Sequence, residues 1–350
     1  RANASERAAA GTPPPLMTPE RAERRFARAE NALERLRRSP DGIFSFSSLA
    51  AHAEKSAAVP GRENDERVFA GVPEVASPEF SAGARADEKA FPKKNFSDLP
   101  AGAEFGTIAH AVFEKVDFRS RENLPALLDE NLPRLPGWAK KSAEEKNSVR
   151  EKFSALVSAN LALPLPPDGL RLETLAAGDF IRETEFHFPL RRSKNFYAEL
   201  FRIFTDWGDI YAETAARHWT PDGNAAGDAP SIGGMMDGVV DLAFRADGRY
   251  FILDWKTNAV VPAGSVPAGF RLPEAAIRRE IVERAYALQW SIYAVALKRF
   301  LTGTLGRNYV HDRDFGGVVY LFVRWLAPFS DAGTLSSARL SALEELLCGG

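Results

Sequence analysis

The chain has 350 residues, of which 45% are hydrophobic and 26% are charged, and its formal net charge is −2. These values are ordinary for a globular protein of about two domains, so a nucleic-acid partner would need a local basic groove. The single cysteine, Cys348, excludes a disulfide framework, a cysteine-based zinc site and a cysteine-ligated iron–sulfur cluster within this chain. The sequence also has no apolar run near the roughly 18 residues of a membrane span, and no phosphate-binding loop for ATP.

The first part of the chain lacks the hydrophobic periodicity of a compact domain. A charged helix is predicted over residues 20–38, and the Pro-, Gly- and charge-rich residues 60–100 are typical of a linker. We therefore treat residues 1–98 as an N-terminal extension and residues 99–350 as the domain that carries the function. Because the first residue is Arg1 rather than Met, we also expect the sequence to be a piece of a longer polypeptide.

An amphipathic helix is predicted over residues 99–117. Its apolar residues recur every three or four positions and form one stripe, made by Phe105, Ile108, Val112, Phe113 and Val116. His110 and Glu114 are four residues apart and therefore lie on one face of this helix. A histidine on a helix is more often structural than a metal ligand. His110 is therefore a candidate ligand only if other ligand residues lie beside it in the fold.

Other elements follow from periodicity and turn signals. Predicted helices cover residues 122–132, 140–162, 274–301 and 336–347, and predicted strands cover residues 180–190 and 318–325. The helix over 274–301 places Gln289 and Tyr293 four residues apart on one face. Residues 191–230 are hard to assign and end in a loop, and residues 260–273 form a second loop.

A β-hairpin is predicted over residues 239–255. Val239–Phe244 and Tyr250–Trp255 are rich in strand-forming residues, and Asp247-Gly248 is a strong turn dipeptide between them. The two strands should therefore pair side by side, which brings the polar residues within them close together.

Three charged residues lie within or at the end of these apolar strands: Asp241, Asp254 and Lys256. Side chains alternate between faces, so Asp254 and Lys256 share one face and Trp255 takes the other. An isolated D-x-K triplet is most often a surface salt pair, but a buried carboxylate is costly without a partner. The apolar surroundings therefore favour a compact acidic site for a hard divalent cation.

Five segments of the chain, in this order, resemble the motifs of RecB-type nuclease domains of the PD-(D/E)XK superfamily. They are Phe105–His110, Gly238–Asp241, Asp254–Thr257, Tyr286–Tyr293 and Phe315–Phe322. Five ordered motifs are far more specific than any one of them, and the last segment points to the RecB type rather than to the wider superfamily.

The resemblance implies an α/β fold of the restriction-endonuclease type, with a mixed central sheet flanked by helices. It implies that His110, Asp241, Asp254 and the backbone carbonyl of Trp255 are metal ligands. It also implies that Lys256 is the catalytic lysine.

Further residues match the family's pattern. Gln289 and Tyr293 match a helix motif that supports the site or contacts DNA, and either Glu183 or Glu185 is an additional candidate. The family usually has Tyr where this chain has Trp255. Because that side chain points away from the metal, we expect a change in packing rather than in chemistry.

The implied function is Mg²⁺-dependent hydrolysis of phosphodiester bonds in DNA, as part of a helicase–nuclease that processes double-strand breaks for recombinational repair. Mn²⁺ is expected to substitute for Mg²⁺, and Ca²⁺ is expected to bind without turnover. The implied partners are single-stranded DNA, linear DNA ends and subunits like RecC and RecD, in the bacterial cytoplasm and away from membranes. Residues 1–98 would then hold the end of a helicase region and a tether. The alternative is a catalytically silent domain that binds only DNA or partner subunits.

A nuclease that degrades DNA of any sequence must bind phosphates rather than read bases. With a net charge of −2, the basic surface that does so must be local. The two densest basic groups of the nuclease portion are Arg191, Arg192 and Lys194, and Arg278, Arg279 and Arg284. We expect salt-sensitive, sequence-independent binding of single-stranded DNA through them.

Overall fold

The computed structural model describes residues 42–54, 95–219, 232–261, 270, 272–331 and 333–349. The predicted helix over residues 20–38 and most of the predicted linker over residues 60–100 lie outside these ranges. The strands are β1 (Gly42–Phe44), β2 (Phe180–Ser193), β3 (Ile232–Ala246), β4 (Arg249–Lys256), β5 (Phe315–Phe322) and β6 (Ala327–Asp331).

The helices lie between and after these strands in the sequence. They are α1 (Phe46–Glu54), α2 (Ala103–Lys115), α3 (Leu124–Asn131), α4 (Ala143–Leu161), α5 (Phe196–Trp207), α6 (Asp209–His218), α7 (Glu274–Glu283), α8 (Tyr286–Leu305), α9 (His311–Asp314) and α10 (Ser337–Cys348). Every helix in the described ranges is too short or too polar to cross a lipid bilayer.

Strand β3 organises the six-stranded sheet because it pairs with three other strands. One of its edges pairs antiparallel with β2, from Phe244 opposite Phe180 to Ile232 opposite Ser193. It also pairs in parallel with β1 at residues 234–236 and antiparallel with β4 at residues 242–246. Strand β4 pairs in parallel with β5, which pairs antiparallel with β6. The predicted mixed α/β architecture is confirmed, and it is compatible with a PD-(D/E)XK core.

The β3–β4 hairpin forms as predicted because its turn residues accept the required conformation. Asp247 and Gly248 have φ angles of 48° and 79°, both in the left-handed region. Two successive positive φ angles define the hairpin turns that match the twist of paired strands, and Asp-Gly is a favoured sequence for them. The turn therefore fixes the register in which Leu242 lies opposite Leu253.

The sheet is buried on both faces, as expected for a sheet flanked by helices. On one face, Leu253 and Trp255 pack with the apolar stripe of α2, and Trp255 stacks on Phe113 with ring centroids 4.2 Å apart. On the other face, Ile252 and Tyr320 pack with α8. Alternation along β4 therefore directs Asp254 and Lys256 toward α8 and directs Trp255 toward α2.

The predicted single helix over residues 274–301 is wrong. The chain forms two helices, α7 and α8, which are separated at Arg284 and Ala285. Ala285 has φ 52° and ψ 30° in the left-handed region and is fully buried. No glycine or proline marks this break in the sequence, so the packing of both helices against the core overrides local helix propensity.

Other boundaries also differ from the predicted ones. Strand β5 begins at Phe315 rather than Val318 and ends at Phe322, and a short 3₁₀ turn over Val323–Trp325 follows it. This turn directs the side chain of Arg324 into the core, where it is 1% exposed. Of the stretch 191–230 that was hard to assign from sequence, residues 191–193 end β2, residues 196–207 and 209–218 form α5 and α6, and residues 220–230 lie outside the described ranges.

Candidate metal centre

Three potential metal ligands converge at the sheet from separate elements of the chain. His110, Glu183 and Asp241 each offer one ligand atom, and these three atoms all lie within 4.8 Å of one another. His110 Nδ1 lies 3.5 Å from Asp241 Oδ1. Within the described part of the chain, no other group of three His, Cys, Asp or Glu residues meets this criterion.

The helix α2 positions His110. Its apolar stripe, including Phe105, Ile108 and Val112, is buried against the sheet. His110 lies at the margin of this stripe, and its side chain is 27% exposed. The same packing that fixes the helix therefore aims the imidazole at Asp241 while one side of the ring stays accessible.

The pairing of β2 with β3 positions Glu183. Arg182 lies opposite Leu242 and Thr184 lies opposite Val240, so Glu183 is the residue that faces Asp241 in the register. Its φ of 45° is in the left-handed region, which is rare for a residue other than glycine within a strand. Strained backbone of this kind is concentrated at functional sites.

Asp241 lies at the point where β4 leaves β3. Pairing between the two strands extends to Leu253, and beyond it the Trp255 N–H donates to Asp241 Oδ2 at 2.8 Å. Burial raises the pKa of Asp241, but the His110 imidazole and the Trp255 N–H outweigh that effect and hold the pKa below its ordinary value. Asp241 is therefore a stable carboxylate, as a metal ligand must be.

The pKa of Glu183 is shifted in the opposite direction from that of Asp241. Burial of its carboxyl, followed by the negative charge of Asp241, raises the pKa of Glu183 to about 7. The residue as a whole is exposed, but its carboxyl lies against Asp241. Two carboxylates this close repel each other unless a cation lies between them. A nitrogen and two carboxylate oxygens with an accessible side fit a hard divalent cation that retains water.

Asp254 lies beside this group but is not a member of it. Its Oδ2 lies 2.8 Å from Lys256 Nζ, and the two residues are 3% and 5% exposed. Burial, together with the charge of Asp241, raises the pKa of Asp254 to about 7 although Lys256 opposes the shift. Glu183 is therefore the second carboxylate of the group around Asp241, Asp254 pairs with Lys256, and the role of Asp254 as a metal ligand stays a prediction.

Three further residues enclose the ammonium group of Lys256: Gln289, Tyr286 and Tyr320. Gln289 Oε1 accepts from Lys256 Nζ at 2.9 Å and from the Tyr320 hydroxyl at 2.7 Å. The ring centroids of Tyr286 and Tyr320 lie 4.0 Å and 4.8 Å from Nζ. Gln289 Nε2 donates to the Tyr293 hydroxyl at 3.0 Å. We call Asp254, Gln289, Tyr286 and Tyr320 the lysine pocket.

The remaining candidates from the sequence lie as follows. Glu185 lies opposite Val239 rather than Asp241, and its Oε2 is 3.8 Å from His187 Nε2. The Trp255 ring lies on the far face of the sheet from Lys256. Its carbonyl as a ligand stays a prediction.

Tyr286 and Tyr320 were not singled out from the sequence, although both lie within the quoted motifs. The signal for Tyr320 is strand pairing: it lies opposite Asp254 in the parallel β4–β5 register, so both side chains emerge on one face. The signal for Tyr286 is helical spacing, because it precedes Gln289 by three residues.

The two predicted basic groups differ in their surroundings. Arg278 pairs with Asp209 and Glu213, and Arg284 pairs with Glu280. Arg191, Arg192 and Lys194 are exposed at the end of β2. Arg278 and Arg284 would therefore have to leave these carboxylates before they could bind phosphate.

Comparison with known proteins supports the resemblance. The chain is 30% identical over 233 residues to the RecBCD enzyme subunit RecB of Haemophilus influenzae. It is 29% identical over 233 residues to that of Escherichia coli, and 31% identical over 236 residues to that of Mycobacterium tuberculosis. These alignments cover 65% to 66% of this chain but only 17% to 21% of the relatives. No family model matches the chain. The resemblance inferred from the five motifs is confirmed: over about two thirds of its residues, this chain is a relative of the RecB subunits.

Proposed function

We propose that this chain carries a divalent-metal-dependent nuclease that hydrolyses phosphodiester bonds in DNA. The observation that carries the proposal is the convergence of His110, Glu183 and Asp241, whose ligand atoms lie within 4.8 Å of one another. A buried lysine with its own carboxylate lies beside them. A metal site next to a fixed cation suits the attack of water on a phosphodiester, which develops negative charge.

Mg²⁺ is the proposed ion, with Mn²⁺ as a substitute. Asp241, Glu183 and His110 would hold it, with Asp254 and the Trp255 carbonyl as further candidates on the strand alongside. The ion would supply a Lewis acid and a water of lowered pKa.

The protein's own residues would stabilise the negative charge that develops on the phosphate and would hold Lys256 in position. Lys256 donates a hydrogen bond to a phosphate oxygen or to the attacking water and offsets the charge of the transition state. Asp254 keeps Lys256 in its charged form, because an adjacent carboxylate favours the ammonium. Gln289 holds the ammonium from the other side, and Tyr293 holds Gln289.

We further propose that this activity serves a larger assembly. The curated relatives are subunits of the RecBCD enzyme, and the chain spans about a fifth of their length. We infer that the chain acts on single-stranded DNA and linear ends, together with subunits like RecC and RecD, in recombinational repair. We also propose that residues 42–54 belong to the nuclease unit, because β1 pairs with β3.

The test combines metal binding with DNA cleavage. Mn²⁺ is titrated calorimetrically into the wild type and into Glu183→Gln and Glu185→Gln, two matched variants that each remove one carboxylate charge from β2. We expect Glu183→Gln to weaken Mn²⁺ binding about tenfold or more and Glu185→Gln to leave it unchanged, because only Glu183 faces Asp241. Cleavage is measured on end-labelled linear and on circular single-stranded DNA, with and without Mg²⁺.

Each result has a distinct meaning. Equal Mn²⁺ affinity in the two variants would show that this group does not hold the ion. Normal Mn²⁺ binding without cleavage of either DNA would favour the silent, binding-only alternative. Cleavage that depends on Mg²⁺ and is lost in Asp241→Asn, while Mn²⁺ binding weakens in parallel, is the outcome that we expect.

A further inference from the structure

The ammonium group of Lys256 is held from two sides by fixed acceptors. It forms an ion pair with Asp254, with Nζ 2.8 Å from Oδ2, and it donates a hydrogen bond to Gln289 Oε1 at 2.9 Å. An ammonium group has three N–H bonds. Even if both Asp254 and Gln289 are counted as acceptors among the described residues, at least one N–H remains for a phosphate oxygen or a water. The direction of a remaining N–H bond depends on how firmly Asp254 and Gln289 hold the ammonium group.

The orientation of the Gln289 amide decides whether Lys256 meets an acceptor or a donor. The Tyr320 hydroxyl donates to the same Oε1 atom that accepts from Lys256, at 2.7 Å. The amide nitrogen donates to the Tyr293 hydroxyl on the other side. An amide rotated by half a turn would present its NH₂ group to the ammonium, and two donors would then face each other. The ammonium, which can only donate, selects this orientation of the amide, and the two tyrosine hydroxyls, which can donate or accept, hold the Gln289 side chain in place from both sides.

The aromatic rings of the lysine pocket add a second restraint. The faces of Tyr286 and Tyr320 lie 4.0 Å and 4.8 Å from Nζ, within the range of cation–π attraction. Tyr320 is fully buried and Tyr286 is 7% exposed, so water competes little for the ammonium there. Tyr320 thus restrains Lys256 in two ways. Its ring contacts the ammonium group directly, and its hydroxyl holds Gln289, which accepts a hydrogen bond from that group.

We propose that Tyr320 is a positioning residue for Lys256. Its hydroxyl holds the Gln289 side chain in place, and its ring closes the pocket, so that the ammonium group of Lys256 stays where an N–H bond can reach the reacting phosphate. The inference rests on the proposed nuclease function for its catalytic consequence, but the restraint on the ammonium exists without it.

The variant Tyr320→Phe tests the role of the hydroxyl. It removes one oxygen and keeps the ring, so the fold should persist. The matched control is Tyr309→Phe, which removes another buried tyrosine hydroxyl that contacts His311 Nδ1 at 2.8 Å, outside the lysine pocket. We expect kcat of Tyr320→Phe to fall about tenfold or more, because a small misplacement of a catalytic group is costly, whereas KM and Mn²⁺ affinity stay within about twofold. Tyr309→Phe should retain the wild-type kcat.

A second measurement does not need activity. The Lys256 ammonium protons, assigned by their loss in Lys256→Gln, should exchange slowly enough with water to be seen by nitrogen-detected NMR in the wild type. The signal should broaden or disappear in Tyr320→Phe and persist in Tyr309→Phe. The absence of this signal in the wild type, or its persistence in Tyr320→Phe, would overturn the proposal.

The two arms separate the inference from the proposed function. A wild type that shows the ammonium signal but no metal-dependent cleavage would remove the nuclease proposal and leave the positioning of Lys256 in place. An active wild type with an unchanged kcat in Tyr320→Phe would overturn the positioning role and leave the nuclease proposal in place.

Discussion

Lys256 keeps its charge although it is 5% exposed. Burial alone would lower the pKa of this lysine, but the charge of Asp254 outweighs burial, and the pKa lies above its ordinary value. An amine that stays protonated at every physiological pH cannot remove a proton from water. Lys256 is therefore suited to donate a hydrogen bond and to stabilise negative charge, rather than to act as a general base.

Arg324 is a second buried cation, and it holds the chain on both sides of the site. Its guanidinium donates to the carbonyl oxygens of Thr257, at 2.8 Å, and of Leu99, at 3.0 Å, and also to that of Pro100. Its Cζ lies 3.7 Å from the centroid of the Phe105 ring. Helix α2 carries His110, and Thr257 follows Lys256. Arg324 therefore connects the segment before α2 to Thr257.

Replacement of Arg324 by Met should lower the free energy of unfolding by about 2 to 4 kcal/mol, because it leaves several buried carbonyl groups without their donor. Urea unfolding monitored by circular dichroism measures this change. The control is Arg249→Met, which removes a partly exposed ion pair to Asp168 at the far end of β4 and should cost at most about 1 kcal/mol. Equal losses in both variants would contradict the anchoring role of Arg324.

At the scale of elements, the sequence predicted the β3–β4 hairpin and the helix α2 because their signals are local. An Asp-Gly turn between two strand-forming runs and an apolar stripe of helical period do not depend on the rest of the fold. By contrast, the local sequence could not distinguish Glu183 from Glu185 as the residue that lies beside Asp241. The two residues are separated by two positions, so a regular strand directs both to one face. Only the β2–β3 register, which places Glu183 opposite Asp241, decides between them.

The break between α7 and α8 was missed for the opposite reason. Local propensity favours one continuous helix through Ala285, and no glycine or proline opposes it. The break turns α8 so that Tyr286, Gln289 and Tyr293 lie along the core face. The conformation of Ala285 is therefore imposed by tertiary packing, which a sequence pattern does not record.

The contact between α8 and α10 provides a pH-dependent prediction. Glu344 on α10 accepts from Lys298 at 3.0 Å and from Arg299 at 2.8 Å, both on α8. Burial raises the pKa of Glu344, but these two hydrogen bonds outweigh it and hold the pKa below its ordinary value of 4.5. A lowered pKa means that the ion pairs stabilise the fold above that value and are lost as the pH falls through the folded-state pKa.

Glu344→Gln should therefore lower the free energy of unfolding by about 1 kcal/mol at neutral pH, and the difference from the wild type should vanish in acid. Urea unfolding over a series of pH values measures it. The matched control, Glu345→Gln, alters the exposed neighbouring glutamate and should track the wild type throughout. A difference for Glu344→Gln that is independent of pH would show that its role is packing rather than charge.

At the scale of the whole molecule, the net charge of −2 requires that any DNA path be a local feature. Arg191, Arg192 and Lys194 are exposed at the end of β2, the strand that also carries Glu183. Arg278 and Arg284 are already paired with carboxylates. Because phosphate would have to displace these carboxylates, and because the first group is exposed at the end of the strand that carries Glu183, we expect the first group to contribute more to phosphate binding than the second.

Binding of a labelled single-stranded oligonucleotide in Ca²⁺ tests this expectation over a range of salt concentrations. Neutralising Arg191, Arg192 and Lys194 together should weaken binding and reduce the slope of log K against log salt by up to about 2, since each lost phosphate contact removes about 0.7. Neutralising Arg278, Arg279 and Arg284 should have a smaller effect. The reverse order, or a flat salt dependence in the wild type, would place the DNA path elsewhere.

The parallel pairing of β4 with β5 also sets the time at which the site becomes complete. A polypeptide is synthesised from its N-terminus, so His110, Glu183, Asp241 and Lys256 all leave the ribosome before Tyr320. The β5 strand must dock beside β4 before Tyr320 lies opposite Asp254 and before Arg324 reaches the carbonyl oxygens of Leu99 and Pro100. Such pairings between distant parts of a chain form slowly. A nascent chain would thus carry the proposed metal ligands before Tyr320 can help to orient Lys256, and the proposed cleavage of DNA would begin only after the last strands of the sheet have folded.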